Sequence, residues 1–345
     1  MDDTRKIPAE PRILDLANPF GAPVYYRETV TSTMDEARAL AGPPESPCAA
    51  GSAPHGTVIA AGYQSAGRGR SGRPWNMGRG ESLPFTVILR YPDFAAVPPC
   101  LTLRTGLALS LAIEDFMEAA GRPVPNPARL PGPETLAGRV QVKWPNDIML
   151  IQADGRGKKA AGILAETAGI FAEAAGSSGG SGNGTVYLGV GINVAQRDFP
   201  PELEKKACSI AGTLYPEIPG AAGSGAEAEA RCAGLAEKRF VLLEKAIARL
   251  YAELEDSGAG EPGPEKAAPP PGRYPADKAA TGNSWRERLL RRLYMRGKPV
   301  RFFPGAAGSG RAVEGILAGV GGEGELLITI DGEDRPFITG ELDIY

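Results

Sequence analysis

The stretch with the most distinctive chemistry is Tyr63–Trp75, YQSAGRGRSGRPW. Its glycines at 67, 69 and 72 let backbone N–H groups close on an anion. Arg68, Arg70 and Arg73 add charge and bidentate donors suited to phosphate or carboxylate. The pattern is neither GxxxxGK[ST] nor GxGxxG, and by itself such a run could also be a basic turn. In Val142–Ile148, VKWPNDI, Pro145 ends a strand and puts the amide of Asn146 and the carboxylate of Asp147 at a strand-to-strand turn. A cation or a nucleotide could meet them there, although Pro-Asn-Asp is also simply a good turn. In Lys158–Glu166, KKAAGILAE, lysines lead into an apolar strand, and Gly162 allows close backbone approach. A lysine at a strand start is, in isolation, usually solvated. Gly189–Val194, GVGINV, ends an apolar strand on a lone amide, Asn193.

Taken in this order and spacing, these segments resemble the biotin protein ligases, the biotin–[acetyl-CoA-carboxylase] ligases. GRGRSGRPW, KWPNDI, the KxxGIL(A)E strand and GxGIN carry the resemblance, which runs from about Tyr25 into the C-terminal tail. The arginine loop together with KWPND separates this family from the related lipoate ligases. The resemblance implies an α+β fold of the class II aminoacyl-tRNA synthetase/biotin ligase kind, a mixed β-sheet with flanking helices, followed by a small SH3-like barrel. It also implies a two-step reaction on biotin and Mg-ATP. Biotin's carboxylate attacks the α-phosphate to give biotinyl-5′-AMP and pyrophosphate, and a lysine of a biotin carboxyl carrier domain then takes the biotinyl group. Carboxylate and triphosphate repel one another, so cationic donors must bring them together.

By position, Lys159 matches the family lysine that contacts biotin and the α-phosphate, and Arg70 the arginine that retains the adenylate. Ser32, Thr33 and Met34 of the TSTMDEA segment, with Gln64, Arg68, Gly69 and Gly162, match biotin-pocket positions. Trp75 would cover the adenine, with Arg73, Asn146, Asp147 and Asn193 on the ATP side and Mg2+, carried by ATP, near Asp147. The arginine loop would order over the intermediate and exclude water. Two positions depart from the pattern: Met34 stands where the family usually has Asn, and Cys208 where Thr is common. The alternatives are a lipoate-type acyl-adenylating ligase and a non-catalytic biotin-binding regulator. The presence of Lys159 speaks against the second.

These residues need elements to place them. Ser32, Thr33, Asp35 and Glu36 read as a capping box opening a short helix that stops near Gly42. Strands are expected over 57–63, 85–91, 139–144, 161–167 and 185–190. Apolar spacing predicts helices over 101–120 and 228–256, and a short basic one over 285–294. Strands over 299–303, 311–318, 325–330 and 333–338, separated by Gly-rich turns, suggest the appended barrel. The expected organisation is an N-terminal extension (1–24), a catalytic domain (25–295) and the SH3-like domain (296–345). Segments 41–56, 121–138, 171–184, 216–225 and 257–283 lack periodicity and read as surface insertions.

Composition bounds the rest. The 345 residues include 46 glycines and 32 prolines, nearly a quarter of the chain, against about 12 % on average. The chain is nevertheless 42 % hydrophobic and carries a net charge of −3. It can therefore fill a core, and it shows no overall basic excess for nucleic acid. We expect no DNA binding, since the proline-rich first 24 residues leave no room for a winged helix, and family members suggest a possible homodimer. No signal peptide and no 18-residue apolar run are apparent, which points to a cytoplasmic chain without a membrane span. The 4 cysteines are widely spaced and read as reduced thiols, and the single histidine, His55, as an exposed loop residue.

Overall fold

The computed structural model describes residues 11–42, 53–120, 138–168, 184–215, 224–255, 284–305 and 310–343. Most of the expected insertions lie outside these residues. In chain order the first half holds β1 (Arg12–Leu14), β2 (Val24–Arg27), α1 (Thr33–Ala41), β3 (Thr57–Ala61), β4 (Ser82–Tyr91), α2 (Leu101–Ala119), β5 (Val140–Lys143), β6 (Asp147–Ile151), β7 (Gly157–Ala168) and β8 (Gly184–Asn193). After these come α3 (Pro201–Glu204), α4 (Ile210–Leu214), α5 (Ser224–Glu237), α6 (Arg239–Glu255) and α7 (Trp285–Arg292). Strands β9 (Pro299–Pro304), β10 (Val313–Val320), β11 (Leu326–Ile330), β12 (Glu333–Phe337) and β13 (Gly340–Asp343) complete the chain.

Strands β1 to β8 form one eight-stranded mixed sheet in the order β1-β2-β3-β4-β8-β7-β6-β5. Only β2 and β3 run parallel. Alternation along β8 decides which layer each face meets. Leu188, Val190 and Ile192 point into the main core, where α2 and α6 bring Leu107, Ile113, Leu243 and Ile247. Gly189, Gly191 and Asn193 point to the opposite face, where α1 packs through Met34, Ala37 and Ala41 on Ile59, Ile88 and Tyr187. With its lead-in turn, α2 spans Phe94–Ala119 and is long and apolar enough to cross a membrane, contrary to the sequence expectation. Here it is a core helix, with Leu103, Leu107, Leu109, Ile113 and Phe116 all buried. Two of its carboxylates are paired across the helix layer: Arg249 grips Asp115 with two bonds of 2.8 and 3.0 Å, and Glu114 meets Arg292 of α7. Leu107 is fully enclosed. Leu107→Ala should therefore cost about 2–5 kcal/mol, read as a lower urea midpoint with an unchanged slope.

The helix expected over 228–256 is two helices, α5 and α6. At the break the Lys238 N–H bonds back only three residues, to Leu235 O at 3.1 Å, and no proline marks the spot. The α1 N-cap is as expected, Ser32 Oγ accepting from Met34 N at 3.2 Å. The reciprocal half of a capping box is absent, because arginines engage the Asp35 carboxylate. His55 is half-buried rather than exposed. Its ring packs against Phe20 and Tyr91, and Nδ1 lies 3.0 Å from Arg90 N and 2.9 Å from Arg90 O.

Strands β9 to β13 form a five-stranded antiparallel sheet in the order β12-β11-β10-β9-β13. This corrects the expected barrel: the edges β12 and β13 do not pair, so the sheet stays open. Strand β12, EDRPF, explains its own edge, since Pro336 cannot donate to a further strand and Glu333, Asp334 and Arg335 are exposed. The two sheets share one core. Trp144 Nε1 donates to Gly324 O at 2.9 Å, and its ring meets Phe302 edge-on with centroids 6.1 Å apart.

Candidate active site

A cleft of about 540 Å³ opens on the α1 face of the large sheet. The site residues that the resemblance implied line it, Ser32, Thr33, Met34, Gln64, Arg68, Gly69, Arg70, Arg73, Trp75, Asn146, Asp147, Lys159, Gly162 and Asn193, whereas Gly67 and Gly72 of the arginine loop do not.

The floor is the β7–β8 pair. At Gly191 a Cβ would come within 2.6 Å of the Trp75 ring, and at Gly162 within 3.2 Å of both that ring and Lys159 Nζ. Glycine at these two positions is thus what lets the indole and the ammonium lie against the backbone. The Lys159 ammonium stands 5.5 Å from the centroid of a Trp75 ring, a cation–π distance. A β-bulge at Ala160, opposite the Ile148–Met149 step, shifts the β6–β7 register immediately after Lys159 and so re-aims that side chain. Its Nζ lies 2.7 Å from Asp147 Oδ1. The backbone is fixed on both sides, Lys159 N donating to Lys206 O at 2.8 Å and Cys208 N to Lys159 O at 2.9 Å.

One wall is polar and buried. Gln64 Oε1 accepts from Thr33 N at 2.8 Å and from Thr33 Oγ1 at 3.0 Å, and Thr86 Oγ1 donates to Thr33 Oγ1 at 2.9 Å. Beside it Met34 rests its sulfur against Gly189, giving an apolar surface. The facing wall is the β5–β6 turn. Asn146 Nδ2 donates to Ile163 O at 2.9 Å, leaving Oδ1 to accept from Arg70 at 3.2 Å. Asn193 is 3 % exposed; its Nδ2 donates to Cys208 O, while its Oδ1 has no partner. An orphaned buried acceptor facing a cleft suits a cationic or N–H-bearing ligand. The indole Nε1 of Trp75 is likewise buried without a partner.

The arginine loop is a small hairpin. Gly69 N bonds to Arg73 O at 2.8 Å, Trp75 N bonds to Gly67 O at 2.9 Å, and Ser71 and Gly72 turn it at positive φ. Its arginines reach three different elements. Arg68 clamps Asp35 of α1 with bonds of 2.6 and 3.1 Å, which holds that carboxyl below its usual range. Arg70 reaches the β5–β6 turn, and burial lowers its pKa against the opposing pull of Asp147. Arg73 pairs with Glu341 of β13. Cys208, packed behind the lysine strand, has its thiol pushed up to about 12 by burial and is no nucleophile. Among the described residues no group of three or more His, Cys, Asp or Glu side chains could hold a metal ion.

Sequence reasoning missed several lining residues. Lys143 and the glycines 189 and 191 lay within the quoted motifs but were given no role. Phe199, Leu203, Lys206 and Ala207 come from the α3 region, and Phe303, Glu341, Leu342 and Asp343 from the C-terminal sheet. A four-residue helix has no periodicity to detect, and nothing local marks β13 as a neighbour of the arginine loop. The cleft thus joins a cationic rim, a buried hydrogen-bonding wall and an apolar floor. It can hold an elongated carboxylate beside a polyphosphate.

A model of the biotin/lipoate A/B protein ligase family matches residues 48–183. The bifunctional ligase/repressor BirA of Bacillus subtilis (strain 168) is 33 % identical over 194 residues, 55 % of this chain and 47 % of that one. A biotin–[acetyl-CoA-carboxylase] ligase of Paracoccus denitrificans is 28 % identical over 265 residues, 77 % of this chain and 80 % of that one. The chain spans about half the length of the bifunctional relatives it matches. Among solved structures, the biotin protein ligase from Aquifex aeolicus in complex with biotin and ATP aligns with a TM-score of 0.56 and 19 % identity, covering 93 % of this chain and 97 % of that one. At that identity the likeness speaks for the fold. The family match, over less than half of the chain, and the shared fold agree with the motifs.

Proposed function

We propose that the chain is an ATP-dependent biotin protein ligase that activates biotin as biotinyl-5′-AMP and passes it to a lysine of a biotin carboxyl carrier domain, of the acetyl-CoA carboxylase type. The observation that carries this reading is the meeting of Lys159, Arg70 and Trp75 with Asn146 and Asp147 over a glycine floor.

In this reading biotin's ring system enters between the Thr33–Gln64 wall and the Met34–Gly189 surface. Its carboxylate then lies toward Lys159. That ammonium, held by Asp147 until ligands arrive, shields the carboxylate from the α-phosphate and stabilises charge as the phosphorus becomes five-coordinate. Arg70 shares this task from the loop. Trp75 moves off the floor to cover the adenine, its free N–H available to an acceptor. Asp147 and the orphaned Asn193 Oδ1 would hold the Mg2+ that ATP carries. The closed loop then keeps water from the mixed anhydride until an acceptor amine arrives. A homodimer through sheet edges is compatible with this arrangement.

The test is incubation of the full chain with ATP, an apo carrier domain, and either biotin or lipoate, read by intact mass of the carrier. Addition of one biotinyl group and no lipoyl group is expected. Lipoyl transfer would install the lipoate reading, and biotin binding without pyrophosphate release would leave only a regulator.

A further inference from the structure

Helix α1 carries more than the buried wall of the cleft. Its first turn places Thr33 and Met34 in the cleft, and the next residue, Asp35, beside the arginine loop. Arg68 grips that carboxylate through both oxygens, at 2.6 and 3.1 Å. Arg38, one turn on, donates to the same carboxylate at 2.9 Å and pairs with Glu166 of β7 through its other terminal nitrogen. Neither Arg38 nor Glu166 lines the cleft. Glu166 and Tyr187 are cross-strand partners on the α1 face of the β7–β8 pair, and the Arg38 guanidinium lies 5.5 Å over the Tyr187 ring. Four charged side chains thus run in series from the sheet through α1 to the loop: Glu166, Arg38, Asp35 and Arg68. Their side chains are 34–40 % exposed. An isolated pair at that exposure holds little, but a bidentate arginine–carboxylate contact inside a network holds more. Arg68, with help from Arg38 and against partial burial, lowers the Asp35 pKa, so the carboxylate stays charged.

The hairpin's own backbone bonds, Gly69 to Arg73 and Trp75 to Gly67, fix its shape but not where it stands over the cleft. Upstream, Ser65 N and Ala66 N bond to Val30 O and Thr31 O, so the chain is tied down as far as Ala66. Beyond that point arginines reach outward: Arg68 to Asp35, Arg70 to Asn146 and Arg73 to Glu341. We infer that Arg38 and Glu166 are positioning residues of the arginine loop, acting through Asp35, which seats Arg68 and thereby the closed hairpin. Arg38 bridges two carboxylates, one on its own helix and one on the sheet, and so fixes the acceptor for Arg68 against the strands that floor the cleft. A carboxylate free to change rotamer would hold the same charge in several places, and the loop would follow it. The inference rests on the proposed function for what the loop retains, biotinyl-5′-AMP, and not for the clasp itself.

The experiment compares the full chain with Asp35→Asn, Arg38→Met, Arg38→Lys, Glu166→Gln and the double variant Asp35→Asn/Arg38→Met. Hydrogen exchange of the ligand-free proteins, read by mass spectrometry over residues 64–75, reports the loop independently of catalysis. Dissociation of biotinyl-5′-AMP reports retention, and biotin-dependent ATP–pyrophosphate exchange reports chemistry. Asp35→Asn should speed both hydrogen exchange in the loop and adenylate escape by about tenfold, and Arg38→Met and Glu166→Gln by about threefold. Arg38→Lys should recover only part of the loss, because an ammonium lacks the planar fork that spans two carboxylates. The kcat for pyrophosphate exchange should stay within about twofold, as these are half-exposed groups away from the reacting atoms. Since Arg38 works through Asp35, the double variant should be no looser than Asp35→Asn alone. Multiplied effects in the double variant would overturn the series arrangement. Unchanged loop exchange in Arg38→Met and Glu166→Gln would overturn their role. So would a lowered urea midpoint with kcat reduced in parallel, which marks a merely structural network. A wild type that forms no biotinyl-5′-AMP would sink the proposed function instead, while hydrogen exchange would still decide the clasp.

Discussion

Lys159→Ala should lower biotin-dependent ATP–pyrophosphate exchange by about a thousandfold. Removing one preorganised charge at the reacting centre typically costs ~10²–10³ in rate. Here a second effect adds to it. The lysine now neutralises Asp147 at 2.7 Å, so its loss leaves a bare carboxylate facing the incoming α-phosphate. Position matters as much as charge. The bulge in the β6–β7 pair and the backbone bonds to Lys206 and Cys208 fix where the ammonium emerges. Lys159→Arg, with a longer planar head group, should therefore rescue only a small part of the rate. The pair lies at the edge of solvent, so the urea midpoint of Lys159→Ala should stay close to that of the wild type. Exchange within tenfold of the wild type would remove Lys159 from the reaction.

Arg70→Gly should have its large effect on retention rather than on chemistry. Arg70 is the loop arginine that crosses the cleft to the opposite wall, reaching Asn146 Oδ1 at 3.2 Å. Asn146 is separately anchored to Ile163 O, so the wall stays in place when the arginine is lost. The hairpin stays closed as well, through its own backbone bonds and through Arg68 to Asp35 and Arg73 to Glu341. On the proposed function, what disappears is a charged donor over the adenylate. Such charge-assisted bonds act mainly on dissociation, so biotinyl-5′-AMP should escape about a hundredfold faster. Adenylation should remain within about tenfold, because Lys159 is untouched. The practical readout is biotinylation of lysines on a bystander protein such as serum albumin, strong with the variant and faint with the wild type. A variant that retains its adenylate as tightly as the wild type would contradict the role assigned to the loop.

Much of the large sheet could be read from the chain because its elements carry local signals. Ser32 before an acidic turn marked α1, the leucine spacing from Leu103 to Leu111 marked α2, and the apolar run ending at Asn193 marked β8. Gly162 was legible as a close-approach glycine, but Gly191 was not, because its reason is long-range: Trp75, far away in sequence, lies on it. Strands β1, β2 and β6 are too short or too irregular to stand out. Strand β6 also begins at Asp147, inside what reads as a turn. The break between α5 and α6 had no glycine or proline at Lys238 to announce it. The open edge of the C-terminal sheet depends on what β12 and β13 fail to pair with, which no local pattern records. The same is true of Glu341, whose place beside Arg73 comes from packing one sheet against the other. The motifs thus revealed the groups that could do chemistry. The apolar wall from α3 and the carboxylates from β13 became visible only in three dimensions.

On the proposed function one cleft joins biotin to AMP and holds the product. This is tested most directly by a single turnover without acceptor: the full chain is mixed with biotin and Mg-ATP, passed through a desalting column, and its bound small molecules are identified by mass spectrometry. Close to one biotinyl-5′-AMP per chain is expected, discharged when an apo carrier domain is added. Recovery of unreacted biotin and ATP with no adenylate, from a chain that binds both, would contradict it.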